Sequence, residues 1–184
     1  MAVLSAYRQK VLFLSMSTRR IFIKNSLGSL AALTIGNEAF SLTKGFSKKE
    51  KLGVALVGLG YYSTDLLAPA LQLTQYCSLK GIVTGSPDKA KKWQQQYHIP
   101  EKNIYNYQSF DSIVNNSDID VIYIVLPPSM HAQYVIKAAN AGKHVWCEKP
   151  MAISVAECQA TIDACKKNKV KLSIGYRMQH EPNT

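Results

Sequence analysis

VALVGLGYYS, residues 54–63, is a short apolar run that ends in glycines and passes at once into a helical pattern. Val54–Gly60 has the length and content of a buried strand, and Leu66, Leu67, Ala70, Leu71 and Leu73 then recur with helical spacing. Pro69 is expected to kink that helix. Strand, glycine turn and helix together give a G-x-G-x-x-G pattern the context in which it binds a dinucleotide. Gly58 would permit the tight turn, Gly60 would let a pyrophosphate approach the backbone, and the free amides at the helix start would face it. Ser63 replaces the third small residue, usually glycine or alanine, and should still fit.

The same alternation continues outward. Leu79–Gly85 reads as a second strand, followed by Ser86 and Pro87 as N-cap and first-turn proline of a helix through about His98. Asn103–Tyr107 is a short third strand, and Asp120–Pro127 a fourth, continuous in Val and Ile as strands buried on both faces are. A helix from about Met130 to Ala141 stops at Gly142. His144–Met151, HVWCEKPM, opens as strand five and runs straight into Glu148, Lys149 and Pro150, where charge closes a core strand. Ser154 and Glu157 have capping-box spacing ahead of another helix, and Lys171–Arg177 is strand six. Six strands alternating with helices predict an α/β fold: a Rossmann-type, doubly wound parallel sheet with its ligand loops along one edge.

The end of strand two bears on which dinucleotide binds. NAD sites commonly place a carboxylate there for the ribose 2′-hydroxyl. Thr84, Gly85 and Ser86 stand there instead, with Lys89 close behind, so hydroxyls and an ammonium are available for a 2′-phosphate. NADP is therefore favoured over NAD.

Charge argues against a polyanion partner. The formal net charge is +10, but residues 1–51 hold 9 Lys/Arg against 2 Glu, and the remainder 13 against 10. No clustered basic and aromatic stripe appears, so no nucleic-acid partner is expected. Cys77, Cys147, Cys158 and Cys165 lack C-x-x-C spacing and read as core filling; the four histidines are isolated, and no metal site is expected. The basic N-terminus has its own pattern. Ser17–Lys24, STRRIFIK, sets Arg19 and Arg20 before an apolar run from Leu27 to Ile35, too short to span a membrane. It resembles a twin-arginine export signal, which implies the export machinery as a partner and a periplasmic or otherwise exported location. The expected organisation is an upstream extension over 1–15, with translation starting at Met16, a signal over 16–40 and a linker over 41–50. The dinucleotide-binding domain then covers 51–176, and 177–184 begin a further domain. A precursor peptide containing AYRQK (Ala6–Lys10) would overturn the Met16 start.

GLGYY, VTGSPDKAKKW, NIYNYQSFD, VIYIVLPPSMH, AGKHVWCEKPM and IGYRMQHEP follow one another across residues 51–184 in the order and spacing of the glucose-fructose oxidoreductase and inositol dehydrogenase family (Gfo/Idh/MocA). The similarity is strongest to its exported, NADP-containing glucose-fructose oxidoreductase branch. The resemblance implies that Gly58, Gly60, Tyr61 and Tyr62 line the pyrophosphate and adjoining ribose, and that Thr84, Gly85, Ser86 and Lys89 hold the 2′-phosphate with Tyr107 nearby. It places Leu126, Pro127 and His131 along the nicotinamide ribose, and Glu148, Lys149 and Arg177 at the nicotinamide. Pro128 stands where the family often has asparagine, which removes one polar contact. Pro150 would take the family's cis peptide, and Lys149 would polarise or protonate the oxygen of a sugar-like substrate.

The implied function is an NAD(P)-dependent oxidoreductase acting on a sugar or polyol, with a tightly held cofactor recycled by oxidising one sugar and reducing another. Two alternatives stand beside it: a non-catalytic nucleotide-binding fragment lacking the family's C-terminal α/β domain, and a glycosidase working by transient redox chemistry on NAD. The family also implies a homo-oligomeric full-length form.

Overall fold

The computed structural model describes residues 50–176 and Met178; the signal, the linker but for Glu50, and Arg177 lie outside the described residues. Six strands form one parallel sheet: β1 (Leu52–Val57), β2 (Cys77–Val83), β3 (Ile104–Tyr105), β4 (Val121–Ile124), β5 (His144–Glu148) and β6 (Leu172–Gly175). Their spatial order is β3-β2-β1-β4-β5-β6. The order reverses between β1 and β4, the place where right-handed crossovers leave a crevice at the carboxyl ends of a doubly wound sheet.

Four helices make the long crossovers: α1 (Ala68–Leu73), α2 (Pro87–Tyr97), α3 (Pro128–Asn140) and α4 (Val155–Lys167). Alternation along the strands divides the core between two faces. Val54, Leu56 and Ile82 pack with Leu71 of α1 and Trp93 of α2 on one face. Ala55, Val57, Ile122, Ile124, Val145 and Cys147 pack with Val135 and Ala138 of α3 and Cys165 of α4 on the other. The first face thus has its helices over β1 and β2, whereas Tyr123 and Trp146 on the same face of β4 and β5 are only half-buried.

Local signals explain most boundaries. Ser86 accepts from the Lys89 amide as the N-cap of α2, with Pro87 in the first turn. Ser154 accepts from Glu157 N at 3.2 Å, but Glu157 Oε2 reaches back to Ile153 N, one residue before the cap. Gly142, at φ +70°, follows the end of α3. The expected kink at Pro69 takes another form: Tyr62–Leu67 is wound as a π-helix that passes into α1. Ala68 N–H donates to Ser63 O, five residues back, just before a proline that has no N–H to give.

Candidate active site

The glycine turn after β1 carries the positive φ its pattern requires: Gly58 sits at +91°. A Cβ there would collide with Val125 O and lie 2.9 Å from Leu126 Cδ2, so this position is closed by the loop after β4 as well as by its own backbone. Gly60 differs. No atom of the described residues lies within 4 Å of where its Cβ would stand, which leaves the open approach that a pyrophosphate needs. Thr64 N–H pairs with Gly60 O at 3.0 Å, leaving the preceding first-turn amides to meet an anion. Ser63 fits by making a bond of its own: fully buried, it donates to Gly58 O at 2.5 Å and ties the two ends of the motif together.

Two cavities open on either side of this turn. The first, of about 360 Å³, lies beyond β2 and β3 and is lined by Thr84, Gly85, Ser86 and Tyr107 among others; among the described residues no carboxylate lines it. Thr84 Oγ1 accepts from Ser86 N, so the two hydroxyl-bearing residues form one small turn. A Cβ on Gly85 would come within 3.2 Å of Tyr107 Cε2, which explains glycine beside that ring. Tyr107 in turn meets Tyr134 edge-on at 5.7 Å. Burial raises its phenol above the ordinary range, with Tyr134 adding to the rise. Lys89 takes a different direction from the one expected. Its ammonium donates to Leu59 O at 3.0 Å, so the side chain folds back to brace the glycine turn.

The second cavity, of about 470 Å³, lies beyond β4, β5 and β6 and is lined by Tyr62, Leu126, Glu148, Lys149, Tyr176 and Met178, with Val125 and Gly175. Glu148 is half-buried and Lys149 exposed. The Lys149–Pro150 peptide is cis, as the motif implies. Tyr61, 74% exposed, stands at the rim of the turn and Tyr62 leans into the cavity. Pro127 is the N-cap of α3 and Pro128 a first-turn proline, so the departure from asparagine suits the helix start.

His131 is placed behind this cavity. It is 1% exposed, with Nδ1 2.6 Å from Pro150 O and Nε2 2.7 Å from Leu126 O. The imidazole therefore joins the loop after β4 to the turn that carries Lys149, and its contribution to a ligand passes through those backbones. Arg177, expected at the nicotinamide, lies outside the described residues.

Two residues escaped the sequence reading. Tyr123 Oη donates to Glu148 Oε1 at 2.6 Å. Burial first, then that carboxylate, pushes its phenol far above the usual range, so it keeps its proton and remains a donor. Gly175, paired with Glu148 across β5 and β6, would carry a Cβ 2.9 Å from Glu148 Oε1. A tyrosine inside the Val/Ile run of β4 was the available signal, since a buried phenol requires a partner.

A sheet that reverses at a glycine turn, with clefts on both sides along its carboxyl edge, has the architecture of a dinucleotide-binding domain. The profile of the Gfo/Idh/MocA oxidoreductase family, NAD-binding Rossmann fold, matches residues 52–176, and the chain belongs to that family. It is 28% identical over 151 residues to the D-xylose 1-dehydrogenase [NADP(+)] of Haloarcula marismortui, covering 77% of this chain and 42% of that protein. To the inositol 2-dehydrogenase of Salmonella typhimurium it is 31% identical over 134 residues, covering 71% and 38%. The crystal structure of aldose-aldose oxidoreductase from Caulobacter crescentus complexed with glycerol is 47% identical, with a TM-score of 0.71 over 72% of this chain and 40% of that one. The chain thus spans about two fifths of the length of these relatives.

Proposed function

We propose that the protein is an NADP-dependent oxidoreductase exchanging hydride with a sugar or polyol, with Lys149 as its catalytic residue. The carrying observation is the single cavity that brings Tyr62, Glu148 and Lys149 together beside the Gly58–Gly60 turn. The names of the relatives support the substrate class: a xylose dehydrogenase, an inositol dehydrogenase and an aldose-aldose oxidoreductase. The last name supports recycling of one bound cofactor between two sugars, in the manner of glucose-fructose oxidoreductase.

Gly60 and the first helical turn after it would hold the pyrophosphate, and Tyr62, Leu126 and Glu148 the nicotinamide end. When bound, the cofactor supplies the hydride acceptor or donor. Lys149 acts on the substrate oxygen: as an ammonium it gives a proton to the developing alkoxide when a carbonyl is reduced, and as the neutral amine it takes the hydroxyl proton when an alcohol is oxidised. Glu148, fixed from behind, gives the lysine a carboxylate neighbour in sequence and in the cavity. The preference for NADP is supported by a cleft lined with Thr84 and Ser86 and, among the described residues, by no carboxylate. Export by the twin-arginine route is part of the proposal and is supported by Arg19 and Arg20 ahead of the apolar run.

Lys149→Met tests this directly. Turnover of aldoses or inositols by the protein produced from its whole gene should fall by about 10²–10⁴-fold, the range of a lost general acid-base group. NADPH affinity, read by fluorescence, should stay within a few-fold. Unchanged turnover in the variant, or no dinucleotide binding by the parent, would refute the reading.

A further inference from the structure

We propose that Tyr123 and Gly175 are positioning residues for Glu148: they fix its carboxylate so that one oxygen is committed to the sheet and the other serves a hydroxyl or amide donor in the cavity. The inference rests on the active-site reading above and deepens it by two residues to which the sequence motifs assign no role.

The geometry comes from three adjacent strands. Tyr123 on β4 is paired in register with Trp146 on β5, and their rings meet edge-on at 5.6 Å, 87° apart. Glu148 is two residues beyond Trp146 and so on the same face. A diagonal step of this kind is within reach of an aromatic side chain, and the phenol reaches Glu148 Oε1 at 2.6 Å. On the other flank Gly175 is the register partner of Glu148, and its missing Cβ leaves the space that Oε1 occupies. Carboxylate, hydroxyl and glycine Cα are thus mutually close-packed at Oε1. Glu148 Oε2 makes no hydrogen bond among the described residues, and no buried polar side-chain atom there lacks a partner. Oε2 therefore faces the open cavity that Glu148 and Lys149 line together.

A carboxylate free to rotate would divide its time between Lys149, water and ligand. Clamped through Oε1, it presents one acceptor in one place, the preorganisation that lets a polar contact contribute to binding without first being ordered. The phenol is suited to this because burial and the carboxylate keep its proton in place.

The test compares Glu148→Gln, Tyr123→Phe, Gly175→Ala and the double variant Tyr123→Phe/Glu148→Gln in the protein produced from its whole gene. NADPH affinity, the kcat against KM split and the thermal midpoint are read for each. Tyr123→Phe and Gly175→Ala should each reproduce part of the Glu148→Gln defect, about three- to tenfold, the size of one hydrogen bond. The double variant should be no worse than Glu148→Gln alone, because the two residues act through one group. Additive losses, or a Tyr123→Phe that only lowers the midpoint while Glu148→Gln impairs binding or turnover, would overturn the inference. A Glu148→Gln variant with wild-type binding and turnover would instead overturn the active-site reading beneath it. Tyr123→Phe removes one oxygen, so the test does not depend on Gly175→Ala folding.

Discussion

The two halves of the sheet's carboxyl edge are built on opposite terms. Beyond β2 and β3 the cleft is lined by hydroxyls, a glycine and tyrosine rings, with no carboxylate among the described residues. Beyond β4, β5 and β6 it is lined by Glu148 and Lys149 over half-buried aromatics. On the proposed reading one half accepts a charge brought by the ligand; the other carries charges of its own, one of them held in place by Tyr123. On the proposed reading, recognition and chemistry are separated along one edge, with the glycine turn at the reversal of strand order between them.

The largest effect is therefore expected at that turn. Gly58→Ala forces a Cβ against Val125 O at φ +91° and should disable both halves together. Stability should fall by about 2–4 kcal/mol in urea titration and NADPH binding should be lost. A variant that kept full NADPH affinity would show that the halves do not depend on a common hinge. Next comes a change confined to the first half. Ser86→Asp keeps a side chain that caps α2 well and adds a carboxylate to the cleft. NADPH affinity should drop about tenfold or more while NADH affinity holds or rises and the melting temperature barely moves. An unchanged ratio of the two affinities would count against the 2′-phosphate assignment.

The smallest effect isolates the second half through pH. Burial, and then Glu148, raise the Cys147 thiol from its ordinary 9.0 to about 12. A group whose folded value is raised contributes stability that is complete below its unfolded value and is lost as pH climbs towards the folded one. Stability should therefore decline from about pH 9 upward, with Tyr123 adding to the decline above about pH 10. Cys147→Ala should start from a lower stability but fall less steeply, by at most about 1.4 kcal/mol per pH unit. Equal slopes in chemical denaturation series would show that the thiol is not held protonated by this half of the edge.

The succession of strands and helices and the glycine turn were legible in the sequence because they depend on local pattern: continuous Val and Ile in β4, Ser86 and Ser154 as caps. What stayed hidden depends on register between distant segments. Tyr123 reads as one more strand residue until β4 and β5 are aligned and Glu148 falls diagonally opposite. Lys89 reads as a phosphate ligand until the turn after β1 offers the Leu59 carbonyl to its ammonium. His131 lies in a motif, but its burial follows from α3 packing against the Lys149–Pro150 turn, which no spacing along α3 encodes. Pro69 marked a disturbance in its helix without indicating that the helix would widen into a π turn.

The tryptophans add an optical consequence. The chain has two. Trp93 is 3% exposed among the residues that bury α2, and its emission follows the integrity of the core. Trp146 sits edge-on to Tyr123, which bonds Glu148 of the second cavity, and a nicotinamide bound there as proposed would alter or quench its light. With Trp93→Phe and Trp146→Phe variants, one spectrum separates occupancy from unfolding without any added label.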